Sequence, residues 1–417
     1  MRFAVLADTH VGRAIPLSIS EYRRRAFCEA FRRAVDAIVA EGVNYVFLCG
    51  DLFERKTLRP SIVRFVVEEL HRLASEHEER HGRAPKVVMV RGNHDGSPKS
   101  NTLEYVEHPL ADYIVVIGDE GRPVVYEDER VYVVGLGYYD RVEKMYEKLV
   151  EPALGVEDGR VRVMLLHTFL SGYHEVPPGA PSMPVDAVGA SGMDFVFVGH
   201  HHERHNPLRV GDTYVLTPGS TEMYDFGEGP DKGFYIVELD EGGPRFRWVR
   251  LDPIHVMSRV VVSPSTPMRP GWFSETIVRE VRRFSERLRE VGKPGYLKVV
   301  VEGQLSEGLP ADVDLLGVER EVEDNPLLLH VDVDFAGLEL PPLYAAAPTR
   351  VVRLEEFLSE FGDFASEVSG MYRRVVDELE EYASLKTGLL PKSVRARLVG
   401  EWLRLFRERR FGVAGRD

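Results

Sequence analysis

The sequence is poor in cysteine and contains no long apolar run. Its 417 residues include only two cysteines, Cys28 and Cys49, which form neither a disulfide framework nor the paired spacing of a structural zinc site. No stretch reaches the roughly 18 apolar residues that a membrane-spanning helix needs. Residues 2–7 form an apolar strand pattern rather than a signal peptide. We therefore expect an intracellular, cytoplasmic protein without a membrane segment.

Positive charge is also in deficit. The formal net charge is −14, from 53 Lys and Arg against 67 Asp and Glu, and the chain has no internal repeat or low-complexity tract. A surface of this sign argues against non-specific nucleic-acid binding by the whole molecule. A local binding face stays compatible with it, because bound metal ions add positive charge to a carboxylate-rich site.

The apolar pattern predicts an α/β fold. Strand runs and helical patterns alternate along the first ninety residues: 2–7, about 18–41, 45–49, about 61–81 and 86–90. From about residue 113 short strands dominate, separated by Gly and Pro: 113–117, 123–127, 130–135, 161–166, 194–198, 213–217 and 233–239. Uniformly apolar strand runs indicate burial on both faces. We predict that residues 1–252 form one two-sheet catalytic domain whose sheets are flanked by helices.

Two further units are predicted. Residues 253–345 combine strand patterns with one helical pattern, which indicates a small α+β domain without a catalytic constellation. Residues 350–417 repeat apolar side chains at helical spacing and predict a helical tail. Residues 392–411 of this tail carry seven Lys or Arg against two Glu. They could bind a partner protein or nucleic-acid phosphates, and the sequence leaves both alternatives open.

Five short segments place metal-binding side chains where apolar runs end. They are Asp8-Thr9-His10, Gly50-Asp51, Gly92-Asn93-His94-Asp95, His167 and Gly199-His200-His201-His202. Each side chain alone has an ordinary explanation as a turn or cap residue. Their joint occurrence at predicted strand ends indicates a binuclear metal site, and such a site implies phosphoester hydrolysis.

Seven of these residues are the predicted metal ligands: Asp8, His10, Asp51, Asn93, His167, His200 and His202. Asp51 stands alone after a central strand and is the candidate bridge between two ions. Asp8 and His10 are two residues apart, as are His200 and His202, so a strand-like backbone would place both members of a pair on one side. His201 would then point away.

The predicted chemistry follows from the ligand types. Two divalent ions roughly 3.5–4 Å apart supply a hydroxide and neutralise the non-bridging phosphate oxygens. Mixed Asp, His and Asn ligation favours two Mn²⁺ ions, with Fe, Mg and Zn as alternatives. His94 directly follows a ligand and would point elsewhere, so we predict that it donates a proton or contacts the phosphate.

Together these segments resemble the calcineurin-like metallophosphoesterase superfamily over roughly the first 220 residues. Within it, the chain is similar to the SbcD-type, or meiotic recombination eleven, nucleases of DNA double-strand-break repair. The finer resemblance lies in three stretches: Asp8-Thr9-His10-Val11-Gly12, Gly50-Asp51-Leu52-Phe53, and Pro218-Gly219-Ser220-Thr221-Glu222 with the following Phe226-Gly227-Glu228 and Lys232-Gly233-Phe234.

The resemblance implies a two-sheet calcineurin-like sandwich and a partition of the ligands. One ion would be held by Asp8, His10, Asp51 and His202, and the other by Asp51, Asn93, His167 and His200. His94 would stabilise the transition state or protonate the leaving group. Many archaeal relatives carry a phosphate-contacting His where this chain has Glu54, so we expect no DNA contact from that side chain.

The resemblance also implies an activity and partners. Such enzymes are manganese-dependent 3′-to-5′ exonucleases and single-strand endonucleases that act on DNA ends as homodimers. Residues 253–345 would then cap the DNA, and the tail would dock on the coiled-coil base of an SMC-like ABC ATPase of the SbcC type. The protein would be nucleoid-associated.

Two other functions are compatible with the same ligands. One is a phosphoesterase that acts on small-molecule or protein phosphoesters, because the fold and the ions do not select the substrate. The other is a DNA-binding scaffold that has lost activity, although every expected ligand is present. The small domain and the tail favour the nuclease, since a stand-alone phosphatase has no need of them.

Overall fold

Two six-stranded sheets face each other in the first part of the chain. The computed structural model describes residues 1–341, 365–384, 394 and 397–401. The strands are β1 (Arg2–Leu6), β2 (Tyr45–Cys49), β3 (Lys86–Val90), β4 (Gly96–Ser97), β5 (Ser100–Asn101), β6 (Ile114–Ile117), β7 (Val125–Glu127), β8 (Val131–Leu136), β9 (Val161–His167), β10 (Phe169–Ser171), β11 (Ser182–Pro184), β12 (Phe195–Gly199), β13 (His205–Val210), β14 (Thr213–Thr217), β15 (Gly233–Asp240), β16 (Gly243–Arg250), β17 (Val256–Val262), β18 (Gly295–Gln304) and β19 (Leu328–Glu339). The helices are α1 (Ser20–Glu41), α2 (Pro60–His81), α3 (Glu104–Glu107), α4 (Val142–Met145), α5 (Val185–Gly189), α6 (Pro270–Val291), α7 (Leu316–Asp324) and α8 (Ala365–Ser384).

The first sheet has the strand order β16-β15-β1-β2-β3-β6. Strands β1, β2, β3 and β6 are parallel, and β15 and β16 extend the sheet in antiparallel fashion. One face packs against α1 and α2, through residues such as Leu48, Phe31 and Leu70. The other face carries Phe3, Phe47 and other buried side chains of the sandwich interior. Burial on both faces explains why these strands are uniformly apolar.

The second sheet has the order β13-β14-β12-β9-β8-β7. Its parallel centre is formed by β8, β9, β12 and β14. Its inner face, with Leu165 and Phe197, fills the sandwich interior, and its outer face is covered by Tyr146, Met183 and neighbouring apolar residues. This arrangement confirms the predicted α/β fold of two sheets flanked by helices.

A smaller sheet follows in the predicted α+β region. Strands β17, β18 and β19 are all parallel, with β18 in the centre. Helices α6 and α7 connect them and bury Phe273, Ile277 and Phe284 against the sheet. Parallel neighbours require crossover connections of this kind.

The chain divides into two compact units, Met1–Pro341 and Pro342–Asp417. The domain boundary that the sequence predicts near residue 252 lies inside the first unit and stays a prediction. Within the second unit, α8 carries the buried Val368 and Met371, while most of the predicted tail, including most of residues 392–411, lies outside the described residues. Among the described residues, no helix combines the length and apolar character needed to cross a bilayer.

Candidate metal centre

Three adjacent strands of the first sheet end beside one another. Because β1, β2 and β3 are parallel neighbours, their carboxyl ends lie on the same edge. Asp8 and His10 follow β1, Asp51 follows β2, and Asn93 and His94 follow β3. Asp51 thus lies between the other two segments, as the sequence predicts for the strand that carries it.

The second sheet contributes the remaining three predicted ligands. His167 is the last residue of β9 and pairs with Gly199, the last residue of the adjacent β12, which His200 and His202 follow. Two hydrogen bonds join the two sheets here. The His167 Nδ1–H donates to the Cys49 carbonyl oxygen (2.7 Å), and the backbone N–H of His200 donates to the Asp8 carboxylate (3.0 Å).

The backbone at four of these residues differs from the strand-like conformation that we expected. Asp8, His10, Asp51 and His200 have φ values of 52°, 41°, 53° and 87°. The alternation rule for strands therefore does not explain why Asp8 and His10 reach the same site, and that part of the sequence argument is wrong. Left-handed backbone costs roughly 1–2 kcal/mol per residue for an L-amino acid and clusters at functional sites.

Glycines provide the space that the site requires. A Cβ atom on Gly50 would lie 2.1 Å from His167 Nδ1, and one on Gly92 would lie 2.0 Å from Asp51 Oδ1. A Cβ on Gly199 would lie 1.9 Å from the Cys49 carbonyl oxygen. These glycines, which precede or pair with the predicted ligands, are required by the close approach of neighbouring groups.

Asp8, His10 and His202 form one group whose donor atoms lie within 4.8 Å of one another. The Nε2 atoms of His10 and His202 are 3.1 Å apart, and the Asp8 Oδ1 lies 4.0 and 3.9 Å from them. His202 Nδ1–H donates to Glu228 Oε1 at 2.7 Å, and His10 Nδ1 lies 3.3 Å from Glu54 Oε2. With Nδ1 of each ring next to a carboxylate oxygen, the two Nε2 atoms face each other. A cation between them fits this geometry.

Asp51, His167 and His200 form a second group of the same kind. His167 Nε2 lies 3.3 Å from Asp51 Oδ2 and 3.1 Å from Asn93 Oδ1. Since the Nδ1–H of His167 is donated to Cys49, Nε2 is the ring nitrogen that faces these oxygens. Carboxylate, amide and imidazole donors therefore surround one point, which also fits a divalent cation.

Asp51 lies between the two groups, and His94 lies beside it. Asp51 Oδ2 is 3.8 Å from His10 Nε2 as well as close to His167. The backbone N–H of His94 donates to Asp51 Oδ1 (2.8 Å), and its Nδ1–H donates to the Glu54 carbonyl oxygen (2.8 Å). The His94 side chain is 29% exposed. Its Nε2 is accordingly the ring nitrogen left for substrate.

The charges in this region are strongly coupled. Burial opposes ionisation of Asp51, but the imidazoles, His167 foremost, hold the pKa of this carboxyl well below its usual range. Burial also works against protonation of His167, but the Asp51 carboxylate raises its pKa to about 9. Burial, together with the charge on His167, lowers the pKa of His200 to about 3. Near pH 7 His200 therefore offers a lone pair, and cation binding must release the proton of His167.

Several supporting residues lie outside the sequence prediction. Asp95 is fully buried and accepts hydrogen bonds from the backbone N–H groups of Asp51 (2.9 Å), Phe53 (3.0 Å) and Gly92 (2.9 Å). It therefore ties the loops after β2 and β3 together. Asp95 belongs to the Gly92–Asp95 segment of the sequence, but only the fold reveals its partners.

Glu228 and Lys232 support His202 from the loop before β15. Lys232 Nζ donates to Glu228 Oε2 (2.6 Å), whose other oxygen accepts from His202. Burial opposes ionisation of Glu228, but the hydrogen bond from His202 and the Lys232 charge lower its pKa to about 2. Both residues lie in stretches that carry the family resemblance, but the sequence alone predicts no role for them.

Glu54 is buried and turned toward the protein. Its Oε1 accepts from Arg13 Nη1 (2.9 Å), and its Oε2 lies near His10. The Arg13 guanidinium also lies 3.2 Å from the centre of the Tyr224 ring. The Glu54 carboxylate is thus directed toward the Arg13 guanidinium and the buried His10 ring, and the expectation that it does not contact the substrate stays a prediction.

His201 points away from these groups and belongs to a separate histidine cluster with His174 and His205. The rings of His174 and His201 are stacked at 4.7 Å with an 8° angle, so no ion could lie in both ring planes. Both ring nitrogens of His174 are also engaged, by the Leu170 N–H (2.9 Å) and the Thr217 hydroxyl (2.8 Å). This cluster is therefore a packing arrangement.

Comparison with known proteins gives a match to a family model in the first part of the chain. Residues 1–204 match the family model described as calcineurin-like phosphoesterase. This part of the chain is similar to the calcineurin-like phosphoesterases. Its histidine and aspartate groups have the character of the binuclear metal site typical of this family of metal-dependent hydrolases.

The similarity to individual relatives covers more of the chain than the family model does. The uncharacterized metallophosphoesterase YhaO of Bacillus subtilis is 25% identical over 67% of this chain, which spans 64% of the length of that relative. The DNA double-strand break repair protein Mre11 of Methanopyrus kandleri is 26% identical over 77% of this chain and 76% of its own length. A dimetal phosphatase from Danio rerio has a TM-score of 0.35 and 14% identity, covering 60% of this chain and 99% of that one. At this TM-score the likeness supports no conclusion about this chain.

Proposed function

We propose that this chain is a DNA nuclease that processes DNA ends in double-strand-break repair. The observation that carries the proposal is the convergence of four strand-end segments on two groups of histidine and carboxylate donors, with Asn93 of the fifth segment 3.1 Å from His167. Within each group the donor atoms lie within 4.8 Å of one another. The similarity to Mre11 of Methanopyrus kandleri, which extends beyond the phosphoesterase domain, favours DNA as the substrate.

The geometry supports the ligand partition that the sequence resemblance implies. One Mn²⁺ would be held by Asp8, His10, Asp51 and His202. The other would be held by Asp51, Asn93, His167 and His200. Asp51 would bridge the two, because its carboxylate lies close to members of both groups. When bound, such ions supply a hydroxide and neutralise the non-bridging phosphate oxygens.

His94 would donate the proton that the reaction needs. Its Nδ1–H is held by the Glu54 carbonyl oxygen and its backbone by Asp51, so the ring has a fixed orientation. A protonated Nε2 would donate to the leaving oxygen or to a non-bridging oxygen of the phosphate. Positioned proton transfer of this kind contributes roughly 10²- to 10⁴-fold to a rate.

The other regions have proposed roles that rest on the family resemblance. Residues 253–345 would cap bound DNA, and the tail of residues 350–417 would bind an SMC-like ABC ATPase. The protein would act as a homodimer on the nucleoid. The basic segment 392–411, which would contact either the ATPase or DNA, lies largely outside the described residues.

One assay tests the proposal. End-labelled duplex DNA and bis(p-nitrophenyl) phosphate would each be incubated with the full chain in Mn²⁺, in Mg²⁺ and in chelator. We expect Mn²⁺-dependent hydrolysis of both substrates and none in chelator. Hydrolysis of the small ester without any cleavage of DNA would instead favour a phosphoesterase of small molecules or proteins. Loss of both activities would overturn the proposal.

A further inference from the structure

A cavity of about 540 Å³ opens beside His94 and Asn93. Its volume is within the range of pockets that hold small ligands or parts of larger ones. One wall is the segment after β2, with Arg55 and Lys56, and the other is the β4–β5 hairpin, with Ser97 among its residues. The cavity is therefore built from the two loops that follow the central strands and is continuous with the candidate metal centre.

Two cations on this wall have no acidic partner in the described part of the chain. Arg55 and Lys56 are exposed, and neither forms an ion pair with a residue that the structure describes. Many other surface arginines are paired, for example Arg64 with Glu68 at 2.7 Å. In a chain with a net charge of −14, two unpaired cations beside a phosphoesterase site are a local excess of positive charge.

The acidic residue in the same wall does not cancel this charge. Glu54 also lines the cavity, but its carboxylate is directed toward Arg13 at 2.9 Å and His10 at 3.3 Å. Its negative charge is consequently balanced inside the protein. Arg55 and Lys56 therefore leave the cavity with a positive potential toward an incoming anion.

We propose that this cavity binds the phosphate that neighbours the scissile one in a polynucleotide strand, with Arg55 and Lys56 as its cationic contacts. The inference rests on the proposed nuclease function. A small ester has one phosphate, which would lie at His94 and leave the cavity empty. A strand continues past the scissile bond, and its next phosphate needs a cationic contact. Charged contacts to the backbone position a strand without reading its sequence.

The test compares two substrates in the same Mn²⁺ buffer. The double variant Arg55→Ala/Lys56→Ala and the wild type would be assayed on a single-stranded oligonucleotide and on bis(p-nitrophenyl) phosphate. We expect the ratio of kcat/KM for the oligonucleotide to kcat/KM for the ester to fall at least tenfold, mainly through KM. The slope of log(kcat/KM) for the oligonucleotide against log[salt] should become shallower by about 1.4, because two single-strand phosphate contacts are lost.

Two control variants separate a local contact from a general charge effect. Arg80→Ala/Arg83→Ala removes the same charge near the start of β3, at the opposite end of the sheet from the site. Its substrate ratio should equal that of the wild type. Arg55→Lys/Lys56→Arg keeps both charges and should restore the ratio to within a few-fold, which also shows that the loop still folds.

The outcomes distinguish the inference from the function on which it rests. An unchanged ratio in Arg55→Ala/Lys56→Ala, or an equal fall in Arg80→Ala/Arg83→Ala, would overturn the assignment of this cavity while nuclease activity stands. A wild type that hydrolyses the ester but cuts no oligonucleotide would overturn the nuclease function itself, and the cavity assignment with it.

Discussion

Three histidines of the candidate metal centre are oriented in the same way. His167, His202 and His94 each direct Nδ1 to an oxygen of the protein: the Cys49 carbonyl, the Glu228 carboxylate and the Glu54 carbonyl, respectively. Each Nε2 is thereby left to face the site. Partners of this type fix the tautomer and the ring orientation of metal-binding histidines.

His94 should matter for the rate and not for cation binding. Replacing it by Asn (His94→Asn) removes the proposed proton donor but none of the proposed ligands. We expect kcat for both substrates to fall by roughly 10²- to 10⁴-fold. The number of Mn²⁺ ions bound per chain, measured by equilibrium dialysis, should stay at two. His71→Asn, at an exposed position of α2, serves as the control, and near-normal kcat in His94→Asn would contradict the assignment.

Gly50 should be essential for the site because a side chain there would collide with His167, and not only because its backbone is left-handed. Gly50 and Gly159 have similar φ values of 89° and 84°, so alanine strains both. Only at Gly50 would the new Cβ collide with His167, since nothing lies within 4 Å of the position at Gly159. We expect Gly50→Ala to weaken Mn²⁺ binding at least tenfold relative to Gly159→Ala in calorimetric titrations. Equal Mn²⁺ affinities in the two variants would contradict the predicted effect of the collision.

The residue types of the site could be predicted from sequence, but their backbone could not. Strand-end placement and the mixture of Asp, His and Asn identify Asp8, Asp51 and His167 as candidates without any coordinates. The left-handed φ values at Asp8 and Asp51 arise because loops from neighbouring strands constrain one another, for instance through the Asp8 N–H donated to the Gly50 carbonyl. Such constraints join residues far apart in sequence and leave no local pattern.

At the scale of elements, the segment between β14 and β15 supports one half of the site. Glu228 fixes His202, and Lys232 anchors Glu228 and donates to the His202 carbonyl oxygen at 3.2 Å. The ring of Tyr224, from the same segment, lies 4.5 Å from that of His202. This loop therefore positions a proposed ligand without contributing one itself.

Glu228→Gln should weaken one ion site and spare the other. An amide in place of the carboxylate loses the charge that holds His202, whereas Asp51, His167 and His200 have no contact with Glu228. Loss of such a partner typically costs 10- to 100-fold in metal affinity. Titration with Mn²⁺ should resolve one weakened and one unchanged site. Glu241→Gln, in the exposed β15–β16 turn, is the matched control, and uniform weakening of both sites would argue against a local effect.

The strands that the sequence does not predict lie at sheet edges, and this position explains why. Strands in the sheet centres, such as β2 and β12, were predicted because both faces are buried and their sequences are uniformly apolar. Strands β13 and β16 lie at sheet edges, and β13 contains Pro207 while β16 alternates Arg with Phe and Trp. Edge strands need fewer apolar residues, so long-range pairing determines them more than local composition does.

At the scale of the whole molecule, the candidate metal centre and the tail belong to different units. Every proposed ligand lies in Met1–Pro341, whereas the proposed ATPase-binding tail lies in Pro342–Asp417. Truncation after residue 350 should therefore keep Mn²⁺-dependent hydrolysis within about twofold of the full chain. It should abolish co-purification with the SMC-like ATPase of the same organism. A complex that survives truncation would contradict the proposed role of the tail, and lost hydrolysis would show that the site depends on it.

The site is divided between two sheets, so the packing of the sandwich interior helps to position the proposed ligands. The ring centres of Phe47 and Phe197 lie 5.6 Å apart in that interior, on the strands that lead to Asp51 and to His200 and His202. A side chain that changes the thickness of this layer also moves one set of donors relative to the other. Packing deep within the fold thus sets the spacing between the two groups of proposed ligands, so that substitutions of residues that contact no substrate should alter the site.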